Sequence, residues 1–395
     1  MKRVCALLFI VFCALGNLRA ADFGALLNTE FTAEGGDEAE ASGTTALSPW
    51  FSLPLGEGGL FVSARLGLYY AEETIFVPEL LRLEYAARFA PFSIRGGRIS
   101  WQDSSGFTAK GLFDGVDVSM DSQQMRFGIA GFYTGFLYKE TANISVSPTD
   151  PVNYGADFDW EDFEDTYCAP RRVMVSLYGE FPGLPIHRGN LYAGLLAQFD
   201  LSDAEELFHT QYLLLRHTLY YRDFDLDAAG AVELENTEEN GVKAAFAISL
   251  EGGWRTPLSL PNRLSLGVRW ASGESPEAAA FFPVIWEAQG LVLQPGFSGI
   301  MVLRAGFEAR LLPSLSAALR GHYFLRTDSI SFLDDDFDKD AYSIGAEFSG
   351  SLRWSPFSDL SFSLDGGIFL PKTGASMRDD APVRGSLTLG AIFSF

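Results

Sequence analysis

The chain has 395 residues and a formal net charge of −22 at pH 7, which excludes binding to the phosphate backbone of nucleic acids. Phenylalanine and glycine are abundant, with 34 and 40 copies, whereas there are only three cysteines, which excludes a disulfide-rich scaffold. After residue 21 the sequence has no uninterrupted apolar run of about 18 residues, which excludes a helical membrane protein.

Residues 1–20 have the layout of a secretory signal peptide. Lys2 and Arg3 precede an apolar run from Val4 to Leu15, and small residues follow at Ala20-Ala21. We expect cleavage at this point and a mature chain of residues 21–395. Without the three basic residues of the leader the net charge falls from −22 to −25. Cys168 is then the single cysteine, so neither an internal disulfide nor a cysteine-based metal site is expected.

Much of the mature chain alternates apolar and polar residues with a period of two. The clearest segments are 242–255, 263–270, 315–326, 342–354, 360–370 and 383–395. Several are far longer than strands of soluble sheets, which average about 5–6 residues, and a tilted membrane strand needs ~9–11. The pattern therefore predicts an all-β, antiparallel transmembrane β-barrel. Aromatic residues near strand ends fit its interfacial girdles, namely Tyr69, Tyr70, Trp254, Trp270, Tyr342 and Trp354.

Turn residues divide the chain into strands that are joined alternately by short and long connections. Short ones occur at residues 54–56, 91–92, 121–122, 182–183, 223–225, 257–261, 313–314 and 356–359. Longer ones occur at 34–40, 71–79, 102–110, 139–170, 201–206, 236–240, 273–297, 328–340 and 371–382. Short periplasmic turns and long outer loops are the rule for outer-membrane barrels. The count predicts one domain of about eighteen strands, with sixteen as the alternative, and both termini in the periplasm. The longest loop, 139–170, is long enough to fold inward and narrow the pore.

Arginine dominates the face that the alternation turns away from lipid. The arginines placed inward by parity are Arg65, Arg82, Arg88, Arg126, Arg216, Arg222, Arg255, Arg263, Arg269, Arg304, Arg310, Arg320, Arg326, Arg353 and Arg384. A lipid-facing Arg at mid-depth costs roughly 2–4 kcal/mol, which forces this orientation on a membrane strand. The carboxylates available for pairing are fewer: Glu84, Glu251, Glu308, Glu347 and Asp365. A barrel of this size encloses an aqueous channel, so we predict a net positive lumen that favours anions. Ion pairs that only brace the wall are the alternative.

The C-terminal segment alternates up to the last residue. Leu387, Leu389, Ala391, Phe393 and Phe395 share one face. This resembles the terminal strand of outer-membrane β-barrel porins, in which a final Phe is recognised by the barrel-assembly machinery. The resemblance implies that this machinery and outer-membrane lipid are partners of the chain.

An internal hairpin has a resemblance of its own. Segment 95–101 (Arg-Gly-Gly-Arg-Ile-Ser-Trp), Phe107 and segment 112–116 (Leu-Phe-Asp-Gly-Val) are similar to a strand–loop–strand unit of the alginate-export type of outer-membrane porin. That family is eighteen-stranded and lined by arginine, so the resemblance implies an elongated, anionic or sugar-like solute. A generic hairpin with an Asp-Gly turn is the alternative.

Together these features predict a passive outer-membrane channel for small hydrophilic solutes, without cofactor, metal or catalytic site. The acidic runs at 157–165, 233–239 and 334–338 are interpreted as solvated loop surfaces. A surface adhesin that displays its loops on a plugged barrel is the alternative. A barrel enzyme would need a catalytic histidine. The chain has four, His187, His209, His217 and His322, and the inward-facing His322 has no evident serine partner in the sequence.

Overall fold

A computed structural model describes residues 21–395 except 37–38, 72–73, 145–157, 185–188, 203–206, 238–240, 276–277, 328–340 and 378–380. The expected signal peptide, the acidic run 334–338 and His187 lie outside the described residues. The described part of the chain is almost entirely β-structure. None of its helices has the length and apolar character needed to cross a membrane.

The strands are long, as the alternation requires. They are β1 (Asp22–Gly35), β2 (Ala39–Leu55), β3 (Gly58–Tyr70), β4 (Thr74–Phe89), β5 (Phe92–Gln102), β6 (Lys110–Asp121), β7 (Arg126–Tyr133), β8 (Arg172–Leu184), β9 (Gly189–Asp200), β10 (His209–Tyr221), β11 (Phe224–Thr237), β12 (Gly241–Trp254), β13 (Asn262–Ala271), β14 (Ile300–Leu312), β15 (Leu315–Arg326), β16 (Ser343–Trp354), β17 (Leu360–Leu370) and β18 (Arg384–Ser394). Between β7 and β8 lie two short helical turns, α1 (Lys139–Ala142) and α2 (Phe163–Tyr167), and a 3-10 turn (Pro371–Thr373) follows β17.

The strands form one closed antiparallel sheet. Each pairs with its neighbours in sequence, and β1 also pairs with β18 from Leu26↔Ser394 to Gly35↔Gly385. Closure matters because each unpaired backbone group in hydrocarbon costs several kcal/mol. The predicted eighteen-stranded barrel is confirmed, and the sixteen-stranded alternative is wrong.

The outer surface carries the apolar half of the alternation. On β10, Leu213 and Leu215 are 57% and 52% exposed, whereas Leu214 between them is 1% exposed. Leu389 and Phe393 on β18 are exposed in the same way. A wall that presents so much apolar surface outward is suited to contact with lipid rather than water.

Connections alternate between the two ends of the barrel as predicted, but three of those expected to be long are short. Those after β1, β3 and β11 span only three residues each: 36–38, 71–73 and 238–240. The expected connection 71–79 is wrong in its second part because β4 already begins at Thr74. Pro78 is tolerated within β4 because this strand has no β5 partner at this height, where Pro78 O instead accepts a hydrogen bond from the Tyr167 hydroxyl at 2.9 Å.

The half of the barrel at the end with the long connections is filled by those connections. Residues 102–110 and the described residues of the connection 272–299 (all except 276–277) pack against the inner wall, where Phe107, Phe281 and Phe297 are buried and meet edge to face at 5.3–6.2 Å. This differs from the expected outer loop at 273–297. The physical reason is composition, since large apolar side chains such as these lower the free energy only where water is excluded.

The connection between β7 and β8 also begins inside the barrel. Leu137 and Ile144 are buried, and Asn143 O accepts a hydrogen bond from Trp286 N at 2.8 Å. Residues 145–157 lie outside the described part. Tyr69, expected in an interfacial girdle, packs instead against Val77 on the inner side.

Candidate functional site in the barrel lumen

The inner face carries most of the arginines that the alternation placed there. Strand register puts on it Arg65, Arg82, Arg88, Arg126, Arg216, Arg263, Arg269, Arg304, Arg310, Arg320, Arg326, Arg353 and Arg384. Arg255 lies just beyond β12 in a short connection, with its N–H 2.8 Å from Asp223 O. Arg222 is a turn residue with φ of 54° and its guanidinium is 5.3 Å from the Tyr221 ring. The prediction that Arg222 lies on the inner wall was wrong. Residues 222–223 form the turn between β10 and β11, so the alternation of either strand does not extend to Arg222.

Most inner-face arginines are paired, and with more carboxylates than the sequence analysis counted. Four of the five carboxylates expected as partners pair with an arginine: Arg82–Glu84 at 2.6 Å, Arg263–Glu251 at 2.9 Å, Arg320–Glu308 at 3.2 Å and Arg353–Asp365 at 4.0 Å. Further partners are aspartates that sequence reasoning missed: Arg95–Asp117, Arg126–Asp121, Arg216–Asp227 and Arg263–Asp225. Positive charge is therefore concentrated locally rather than spread over the whole wall.

The strongest local concentration is an arginine cluster on β13–β15, formed by Arg269, Arg304 and Arg320. Arg304 is partly buried, and its Nε has no hydrogen-bond partner in the described part of the chain. The neighbouring Arg269 and Arg320 repel its charge, which Glu251 and Glu287 partly offset. A buried cation with an unused donor gains free energy when an anion binds to it.

Three cavities follow the inner wall toward the end with the short connections. Their volumes are about 830, 460 and 360 Å³. The first is lined by Arg88, Arg95, Arg126 and Arg216, the second by Arg216, Arg263, Arg269 and Arg304, and the third by Arg263, Arg310, Arg320 and Arg353. Neighbouring cavities share Arg216 or Arg263, so they adjoin one another along the wall, and we call them the basic chambers after these arginines. Carboxylates line them as well, among them Asp117 and Glu180 in the first, Asp225, Asp227 and Glu251 in the second and Glu308 in the third, so the excess of arginine is largest in the last two.

The tip of the β5–β6 hairpin, residues 103–109, projects between the first two cavities. Its shape is set by Asp103, whose carboxylate accepts hydrogen bonds from the backbone N–H groups of Ser105, Gly106, Thr108 and Ala109 at 2.5–3.0 Å. The Ser105 hydroxyl donates a fifth at 2.5 Å. Burial raises the pKa of the Asp103 carboxyl, and these donors oppose the rise because they stabilise the charged form. The Gln-Asp-Ser-Ser-Gly sequence at 102–106 is a turn signal that could have revealed this arrangement.

The connection 272–299 is attached to the wall by a buried carboxylate. Glu347 on β16 is 0% exposed and accepts hydrogen bonds from the consecutive N–H groups of Leu291, Val292 and Leu293 at 2.7, 3.0 and 2.8 Å. Glu347 was one of the carboxylates expected to pair with an arginine, but the basic side chain beside it is His322, with Nδ1 at 3.7 Å. Its partner is thus a segment of backbone more than fifty residues away.

A second attachment holds the same connection on another part of the wall, at β10 and β11. The Tyr212 hydroxyl donates to Phe282 O at 2.6 Å, and Phe282 N donates to Glu233 Oε2 at 2.8 Å. Glu233, which the sequence analysis interpreted as part of a solvated acidic run, is 0% exposed. That interpretation is wrong for Glu233 because it faces the lumen under this connection.

Arg269 joins the inner loops to the basic chambers. Its guanidinium is 6.0 Å from the Phe107 ring and 5.4 Å from the Phe297 ring, one from each inner loop. Its Nη1 donates to Glu287 Oε2 at 2.9 Å and to Gln289 Oε1 at 3.0 Å. The position of the two loops therefore determines where this member of the arginine cluster points.

The described histidines take part in packing and hydrogen bonding. His209 Nδ1 accepts a hydrogen bond from Asp200 N at 3.1 Å, and His217 lies on the outward parity of β10. The ring of His322 stacks on Phe324 with centroids 6.0 Å apart.

No family model and no curated protein matches the sequence. The structure is similar to outer-membrane protein OprD of Pseudomonas aeruginosa, with a TM-score of 0.60 and 14% identity, over 96% of this chain and 94% of that one. It is also similar to P. aeruginosa OccK2 (OpdF) in complex with glucuronate, with a TM-score of 0.63 and 13% identity, over 96% and 99%. P. aeruginosa OpdK with vanillate gives a TM-score of 0.61 and 12% identity, over 96% and 100%. At these identities the likeness establishes the fold alone: this chain has the barrel fold of OprD and the Occ proteins.

Proposed function

We propose that this chain is an outer-membrane channel through which small hydrophilic, anionic solutes diffuse passively. The observation that carries the proposal is the arginine cluster Arg269–Arg304–Arg320 beside two of the basic chambers inside a closed barrel. Within a wall of low dielectric, a guanidinium attracts an anion more strongly than it would in bulk water. Solutes of the opposite sign are disfavoured by the same charges.

Carboxylates are the anions that suit this site best. Guanidinium groups bind them through two parallel N–H···O bonds, and a cavity of about 460 Å³ has the size of a small-molecule site. Proteins of the same fold bind glucuronate and vanillate, both of which are carboxylates. The hairpin similar to the alginate-export type supports an elongated, sugar-like acid as the solute.

Reversal potential in a planar bilayer under a KCl gradient tests the proposal. We expect anion selectivity, and Arg304→Gln should reduce it. Arg304 forms no ion pair within the described part of the chain, so its substitution removes a positive charge that no bonded carboxylate neutralises. Arg88→Gln is the matched control, since Arg88 faces the same lumen but lies near its end and is 74% exposed. Cation selectivity of the unaltered protein would refute the proposal.

We further propose that residues 1–20 are cleaved on export and that both ends of the mature chain face the periplasm. The hydrogen bonds between Ala25 and Phe395, at 2.8 and 3.0 Å, bring the two ends together at the end of the barrel with the short connections. N-terminal sequencing of protein from the membrane fraction tests the cleavage, and a start near residue 21 is expected.

A further inference from the structure

Arg98 and Asp114 form an ion pair on the face of β5 and β6 that carries lipid-facing residues elsewhere along these strands. Their parity is that of Ile94 and Val116, which are exposed on the lipid side, whereas Arg95 and Asp117 occupy the inner parity. Exposed to hydrocarbon, the pair would be costly. Arg98 is nevertheless only 6% exposed, so other parts of the chain cover it.

The partners of Arg98 belong to three different elements. Its Nε and Nη2 donate to the two carboxylate oxygens of Asp114 on β6, both at 2.7 Å. Nη1 donates to Leu80 O on β4 at 2.6 Å, and Nη2 also donates to Phe136 O, in the connection after β7, at 2.8 Å. One guanidinium thus joins β4, β6 and the β7–β8 connection.

These contacts lie where the backbone ladder of the wall stops. Pairing of β4 with β5 ends at Leu83↔Arg98, and pairing of β6 with β7 ends at Asp114↔Tyr133. Beyond this height β5 and β6 pair only with each other, up to Gln102↔Lys110. The hairpin tip therefore leaves the wall here and enters the lumen.

Two facing glycines allow the backbone to bend at this height. Gly97 and Gly115 are register partners, and Gly97 has φ of +106°. A Cβ on Gly97 would overlap the Leu83 carbonyl oxygen, and one on Gly115 would overlap that of Gly131. Both strands of the hairpin thus approach their outer neighbours too closely for any side chain.

We propose that Arg98 and Asp114 are positioning residues that lock this bend and hold the tip 103–109 inside the lumen. Where the β5–β6 hairpin leaves the wall, it leaves a gap between β4 and β7. The Arg98 guanidinium closes the lock because it donates hydrogen bonds to carbonyl groups on both sides of this gap, Leu80 O and Phe136 O. When the Arg98–Asp114 lock opens, the tip 103–109 leaves the space between the first two basic chambers, and the solute path widens. The effect on solute passage rests on the proposed channel function, whereas the position of the tip does not.

The test measures the position of the tip independently of transport. Thr108 is 0% exposed, so in a Cys168→Ser background the variant Thr108→Cys should react slowly with a water-soluble maleimide in detergent micelles. Adding Arg98→Lys, which keeps the charge but loses the forked geometry, should raise the labelling rate at least about tenfold. Asp114→Asn should act in the same direction and serves as the second variant if Arg98→Lys does not reach the membrane.

Arg95→Lys is the matched control, because Arg95 pairs with Asp117 across the same two strands on the inner face. It should leave the labelling rate unchanged. Equal labelling in Arg98→Lys, Asp114→Asn and the parent would overturn the lock, even if the barrel conducts. If Arg98→Lys and Asp114→Asn label faster than the parent but the parent shows no conductance, the lock is supported and the proposed channel function fails.

Discussion

Replacing Glu347 by Gln should release the inner segment 289–294 from the wall. Gln has the same size as Glu, but one of its terminal groups is an NH2 that cannot accept a hydrogen bond. The three N–H groups of Leu291, Val292 and Leu293 all point at the Glu347 carboxylate. At least one of them would then face a second donor.

The magnitude follows from these contacts. A hydrogen bond to a charged acceptor contributes about 1.5–3 kcal/mol, and an unsatisfied buried donor costs about 1–3 kcal/mol, so the docked segment should lose about 2–4 kcal/mol. Since each 1.4 kcal/mol is a factor of ten, the ratio of undocked to docked protein should rise roughly 30- to 700-fold. The attachment at Phe282 is separate and should hold the first part of the connection.

Single-channel recording and limited chymotrypsin digestion measure this release. Glu347→Gln should show larger or fluctuating conductance levels and faster cleavage after Leu291 or Leu293. Glu308→Gln is the matched control, since Glu308 pairs with Arg320 on the neighbouring inner wall and is 54% exposed. If Glu347→Gln and Glu308→Gln behave alike in both assays, the carboxylate does not hold the segment and the reasoning fails.

Two further substitutions test the hairpin. Asp103→Asn should disorder residues 103–109 because five hydrogen bonds converge on that carboxylate. Proteolysis within the tip should then become faster, and an unchanged cleavage rate would contradict the role assigned to Asp103. Gly97→Ala should destabilise the folded barrel by about 1–3 kcal/mol through backbone strain, as measured by urea refolding into detergent. Gly96→Ala is its control, since a Cβ there would have its nearest neighbour at an ordinary 3.7 Å, and equal losses in the two variants would contradict the bend.

The wall of the barrel was predictable because its signal is local. A side chain on a strand faces lipid or lumen according to its parity alone, so Leu213, Leu215 and Arg216 could be assigned without knowing their neighbours. Strand number followed from turn residues, which are local as well. The errors fall where a local signal had two readings, as at residues 74–79, which were expected in a loop but form the part of β4 that has no β5 partner.

The filling of the lumen could not be predicted in the same way. Which arginine pairs with which carboxylate depends on the register between strands, so Arg263 meets Asp225 from a strand 38 residues away. Apolar residues such as Phe281 and Phe297 indicate burial, but the sequence alone does not show which other residues they pack against. Glu347 was expected to pair with an arginine because charge complementarity is visible in a sequence, whereas an array of backbone N–H groups is not.

The structure separates two properties of the lumen that the sequence analysis treated as one. In the channel that we propose, the charges along the solute path come from wall arginines such as Arg304, which are fixed by strand register. Its width is set by inner loops that Asp103 and Glu347 hold through backbone N–H groups rather than through arginines. Since the two sets of contacts share few residues, their effects should be nearly additive, and selectivity and conductance should change independently. Arg269 is where the sets meet, because it contacts both loops and the cavity, so a substitution there should alter both properties together.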